Sequence, residues 1–138
     1  MTNNNKPVLL IEDDQVDAMT VKRAIRQIKM KHPLVHVENG EEALEYLKND
    51  NNAKPWIILL DLNMPRMNGL EFLQIAKKDD VLKSIPVVVL TTSKEQQDRM
   101  ASFNFSVAGY MIKPVDYAQF VEMMRAIQSY WTLCQQPD

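Results

Sequence analysis

Glu12, Asp13, Asp61, Thr91 and Lys113 are the residues of this chain whose types and settings could do chemistry, because each stands where an aliphatic run stops. Val8 to Ile11 gives way to Glu12, Asp13 and Asp14, and Ile57 to Leu60 gives way to Asp61. Val87 to Leu90 ends at Thr91, Thr92 and Ser93, and Gly109 to Ile112 ends at Lys113 and Pro114. Three carboxylates gathered in one place repel one another unless a cation sits among them. An all-oxygen set suits a hard ion, Mg²⁺ held by a few carboxylates, water and a phosphate oxygen. A carboxylate beside such an ion can attack a phosphoryl group and form an aspartyl phosphate. A lysine ammonium and a threonine hydroxyl would then meet the new phosphate oxygens.

These residues share a site only if the runs that carry them are strands of one sheet. Short aliphatic runs without alternation read as strands buried on both faces, and Asn63, Pro65, Asn68 and Gly69 form a turn just after Asp61. Leu34 to Glu38 alternates and reads as a more exposed second strand. Between the strands, helical spacing recurs in Ala18, Val21, Ile25 and Ile28, in Ala43, Leu44 and Leu47 after Gly40, and in Leu70, Leu73 and Ala76. A polar helix is expected from about Lys94 to Phe103, and the longest helix carries Phe120, Met124, Ile127 and Trp131, with Asp116 able to cap its start. Asp14 or Asp17 is placed to favour the positive end of the first helix. Five strands alternating with five helices predict an α/β fold, a doubly wound parallel sheet with helices on both faces, because parallel strands need crossovers. The carboxyl ends of its strands lie along one edge, where ligands bind in such folds.

The totals agree with a single ordinary domain. At 138 residues, with 46% apolar and 25% charged residues, the chain can bury a core without disulfides or metal staples. A net charge of −2 with no Lys/Arg cluster argues against nucleic acid as a partner. Cys134 is the one cysteine, which excludes an internal disulfide and fits a reducing, cytoplasmic compartment. The asparagine-rich start lacks the apolar core of a signal peptide, and no run is long enough to span a membrane. The expected division is a disordered leader over 1–6, the domain over 7–129 and a helix extension or tail over 130–138.

The stretches IEDD at 11–14, DLNMPRMNG at 61–69, LTTS at 90–93 and GYMIKP at 109–114 resemble, in order and spacing, the receiver domain of bacterial response regulators. The resemblance covers nearly the whole chain. It implies a flavodoxin-like sheet of strand order 2-1-3-4-5 and a phosphorelay in which Asp61 accepts a phosphoryl group from a histidine kinase. It makes Glu12, Asp13, Asp61 and the backbone carbonyl of Asn63 the Mg²⁺ site, with Asp13 a direct ligand and Glu12 acting largely through water. Many members have two aspartates where this chain has Glu12 followed by Asp13 and Asp14, which leaves a one-residue shift open. The hydrophobic run ending at Ile11 favours Glu12 and Asp13. Thr91 and Lys113 would contact the phosphoryl group, Thr91 and Tyr110 would form the switch, and Asn63 and Ser93 would tune phosphate lifetime. The Lys113–Pro114 bond would be cis.

Such a protein catalyses only its own phosphorylation and dephosphorylation. With no output domain expected, it would act as a stand-alone regulator that signals through a protein contact. The tail SYWTLCQQPD adds Tyr130, Trp131 and Leu133 to the last helix, which points to a homodimer or a docked partner. The tail and motif wording also look similar to small regulators paired with bacterial phytochrome kinases. A photoreceptor kinase would then be the partner, beside ordinary or hybrid histidine kinases. The rival reading is a receiver-like interaction module independent of phosphorylation. A flavodoxin-type cofactor protein would need a phosphate-cradling loop where Glu12 to Asp14 stand, and an aspartyl-nucleophile phosphatase usually has an aspartate at the place of Asn63. His32 and His36 are expected to lie too far from the acidic edge to be ligands, with His36 facing out from an edge strand.

Overall fold

The aliphatic runs form the strands of one parallel sheet. In a computed structural model, which describes residues 6–61 and 69–133, with side chains as far as 130, β1 is Val8–Ile11, β2 Leu34–Val37, β3 Ile57–Asp61, β4 Val87–Thr91 and β5 Gly109–Ile112. Their order is β2-β1-β3-β4-β5, all parallel, as expected. β1, β3 and β4 are buried at every position, whereas the edge strand β2 is half-buried and β5 is half-buried up to its exposed last residue, Ile112. Asn63, Met64 and Met67 lie outside the described residues, as do the first five residues and the tail from Cys134 on.

Strand alternation sends neighbouring residues into two cores. Val8, Leu10, Ile57, Leu59, Val88 and Leu90 pack with helices α1 (Gln15–Gln27) and α5 (Tyr117–Leu133). Leu9, Ile11, Ile58, Leu60, Val87 and Val89 pack with α2 (Gly40–Lys48), α3 (Gly69–Ala76) and Met100 of α4 (Lys94–Ala101). Each fully buried Leu or Ile contributes roughly 1.5–3 kcal/mol, so the sheet centre is the least deformable part of the fold. In register, Ile11 of β1 stands opposite Leu60 of β3, which brings the next residues, Glu12 and Asp61, to the same level.

The helices begin where side chains can satisfy their free N–H groups. Asp14 caps α1 by accepting from the N–H groups of Val16 and Asp17, Asn39 caps α2 by accepting from Glu42, and Ser93 caps α4 by accepting from Gln96. Asp116 accepts from the N–H of Gln119 at the start of α5. Gly40 is therefore the first residue of α2 rather than a residue ahead of it. Two boundaries also differ from expectation. α4 stops at Ala101, because the chain turns through Asn104 at φ 57°, and β2 stops at Val37. No peptide bond among the described residues is cis, Lys113–Pro114 included. Among the described residues no helix is long and apolar enough to cross a membrane.

Candidate functional site

The carboxyl ends of β1, β3, β4 and β5 bring together most of the residues singled out from the sequence. Glu12, Asp13 and Asp61 each place a carboxylate oxygen within 4.8 Å of the others. Glu12 and Asp61 are buried, at 1% and 2% exposure, and Asp13 is half-buried. From β5, the Lys113 Nζ reaches back over the group, 3.4 Å from Asp61 Oδ1 and 3.9 Å from Glu12 Oε1. Its backbone is fixed by an N–H that donates to the Thr91 carbonyl at 2.8 Å. Thr91 is fully buried, and its hydroxyl donates to the carbonyls of Ser93 and Met111 only at the long distance of 3.4 Å. Such weakly held hydroxyls are easily redirected to a better acceptor.

The electrostatics show crowded carboxylates whose repulsion Lys113 offsets only in part. Burial raises the Glu12 carboxyl most, the Asp61 carboxylate adds to the rise, and together they push it up from 4.5 to about 8 against the opposing pull of Lys113. Glu12 Oε1 has no hydrogen-bond partner among the described residues, and its other oxygen accepts from the N–H of Asp14 at 3.3 Å. Burial pulls the Lys113 ammonium down, but Asp61, Glu12 and Asp17 together outweigh it and hold it above its ordinary value. Buried carboxylate oxygens of one hard-donor type, one of them without a partner, fit a small divalent cation such as Mg²⁺. Asp14 does not join them, because its carboxylate is exposed and committed to capping α1.

Two neighbours of the site were not legible as such in the sequence. Asp17, one helical turn beyond Asp13, places Oδ2 3.6 Å from Lys113 Nζ, and its presence at a helix start was the one available signal. His36 corrects an expectation. It is half-buried rather than turned outward, and its Nε2 lies 2.7 Å from the Glu12 carbonyl oxygen. A carbonyl can only accept, so Nε2 carries the proton. His36 thus supports the acidic loop through its backbone and is not in the metal-like group. His32 is far from the edge, stacked on Trp56 with centroids 3.9 Å apart. Beside the site, a cleft of about 450 Å³ opens between α1 and the β5–α5 connection, lined by Asp17, Arg23, Lys113, Val115 and Tyr117 among others.

Of the other residues singled out, Tyr110 packs partly buried against the α2, α3 and α4 side of the core, with its hydroxyl buried and without a partner among the described residues. Ser93 caps α4 two residues beyond Thr91. Asn63 lies outside the described residues.

Residues 8–125 match the family model described as the response regulator receiver domain. The chain belongs to that family. This receiver is 35% identical over 134 residues to the response regulator Rcp1 of Synechocystis sp., a match covering 94% of this chain and 91% of that one. Among solved structures, it superposes on the phosphorylated cyanobacterial phytochrome response regulator RcpA with a TM-score of 0.86 at 34% identity, covering 97% of this receiver and 99% of RcpA. The Mn²⁺-bound form of Rcp1 matches with a TM-score of 0.84 at 34% identity, covering 96% and 99%. Phosphorylation-dependent signalling is the general role of this family.

Proposed function

We propose that this receiver is the response regulator of a two-component phosphorelay, with Asp61 as phosphoacceptor. The observation that carries the reading is a buried aspartate at the end of the central strand with Lys113 Nζ 3.4 Å away and two further carboxylates beside it. In the transfer, an Asp61 oxygen attacks phosphorus and the P–N bond to the donor histidine breaks. The electron pair stays on the imidazole nitrogen, which takes up a proton. Glu12, Asp13 and Asp61, with the Asn63 carbonyl, would hold Mg²⁺, which when bound neutralises charge on the phosphoryl oxygens. Lys113 orients one of those oxygens by charge, and Thr91 turns its hydroxyl from its long backbone contacts towards another.

The new charge would then pull Thr91 inward and let Tyr110 follow, changing the α4–β5–α5 surface that a target protein reads. Ser93 and Asn63 would set how easily water reaches the phosphoryl group. The likeness to Rcp1 and to the phytochrome response regulator RcpA supports a phytochrome-type histidine kinase as donor. A homodimer through α5 and the tail, in the cytoplasm, completes the proposal. Tyr130, 61% exposed on α5, supports the dimer surface.

Intact-mass measurement after incubation with acetyl phosphate and Mg²⁺ tests the assignment. The wild type should gain one phosphoryl group and Asp61→Asn none. No gain in the wild type, or an equal gain in both, would sink it. Light scattering at high concentration, with and without phosphodonor, tests the dimer, and a monomer throughout would exclude it.

A further inference from the structure

Lys113 is not the private partner of the phosphoacceptor. Its Nζ lies 3.4 Å from Asp61, 3.6 Å from Asp17 and 3.9 Å from Glu12, so the ammonium hangs among three carboxylates without a close bond to any. Asp17 differs from the other two. It comes from the first turn of α1, its side chain is 51% exposed, and it stands on the wall of the cleft that opens beside the site. Among the described residues, Lys113 is the cation within ion-pair distance of Asp17. The lysine side chain is itself 17% exposed, so its position is set by these charges more than by water.

We infer that Asp17 is a positioning residue that competes with the phosphoryl group for Lys113 and thereby limits phosphoryl uptake from small anionic donors. The inference rests on Asp61 being the phosphoacceptor. Before transfer, Asp17 draws the ammonium towards α1 and adds a negative charge beside the path of an anionic donor. During transfer, Lys113 must serve the phosphoryl oxygens, and the share of its charge held by Asp17 is lost to them. A carboxylate that only favours a helix N-terminus affects stability but not this rate.

The test uses the full chain with acetyl phosphate and Mg²⁺, following the rate of phosphorylation by intact mass. In uptake, an Asp61 oxygen bonds to phosphorus, and P–O cleavage releases acetate. Asp17→Asn should take up phosphate faster at low donor concentration by about two- to five-fold, the range of one half-exposed ion pair. Asp17→Glu, which keeps the charge, should return the rate towards wild type, and the difference between Asp17→Asn and wild type should shrink in high salt. Unchanged or slower uptake in Asp17→Asn overturns the inference, as does an Asp17→Glu protein that behaves like Asp17→Asn. If wild type and Asp61→Asn gain equal mass, the phosphoacceptor reading itself fails and takes this one with it, an outcome distinct from the other two.

Discussion

The Nε2 of His36 donates to the Glu12 carbonyl oxygen at 2.7 Å, so the edge strand β2 holds the backbone of the acidic loop that follows β1. Glu12 N–H in turn donates to the Val37 carbonyl at 3.0 Å, which makes the link two-sided. If Glu12 and Asp13 hold a cation as proposed, removing such a support costs the loop preorganisation, of the order of tenfold in affinity. His36→Ala is therefore expected to bind Mg²⁺ about tenfold more weakly while remaining folded. Titration calorimetry at fixed pH checks this, and an unchanged affinity would show that the loop holds itself.

The raised carboxyl of Glu12 predicts a pH dependence. Folded, metal-free protein keeps a proton on Glu12 up to about pH 8, whereas the unfolded chain gives it up near 4.5. The stability from this group is complete below about pH 4.5 and is lost as pH rises towards 8, because over that window the folded state binds the extra proton. Urea unfolding in EDTA should show stability falling between these limits, and Glu12→Gln should flatten the fall. Bound Mg²⁺ should displace the proton, so calorimetry near pH 7 in buffers of different ionisation enthalpy should register proton release. Equal heats across buffers would contradict the shift.

Tyr110 carries a buried hydroxyl with no partner among the described residues, and burial raises its pKa. An unpaired buried hydroxyl costs free energy that phenylalanine avoids at nearly the same shape. Tyr110→Phe should be more stable than wild type by roughly 0.5–2 kcal/mol in thermal or urea unfolding. Destabilisation would mean that the hydroxyl is paired in solution.

His32 offers a control far from the site. Its ring stacks on Trp56 at 3.9 Å, and Nδ1 donates to the Lys6 carbonyl at 2.8 Å, fastening Lys6 just ahead of β1. Losing one stacked pair and one hydrogen bond should cost about 2 kcal/mol in His32→Ala. Phosphoryl uptake at a temperature where the variant is folded should match wild type, and a selective loss of uptake would reveal coupling between the two ends of the sheet.

The sequence alone determined where the strands lie and which side chains end them, because burial on both faces leaves an unbroken aliphatic run and a strand end leaves an abrupt polar one. Ile11 followed by Glu12 and Leu60 followed by Asp61 are local signals of that kind, and four of them in the right order sufficed for the fold class and for the residues of the candidate site. The caps were legible for the same reason, Asp14 and Asp116 among them. Helix ends were less so, since α4 stops where Asn104 turns the chain and not where apolar spacing fades. Tertiary structure decided who stands beside whom. Asp17 meets Lys113 across 96 positions of sequence, and His36 meets Glu12 across 24. Neither distance follows from spacing, because it depends on how crossovers seat α1 and β2 against the sheet. The charge state of Glu12 is of the same kind, since it comes from burial beside Asp61, a property of the packed site that no single stretch of chain contains.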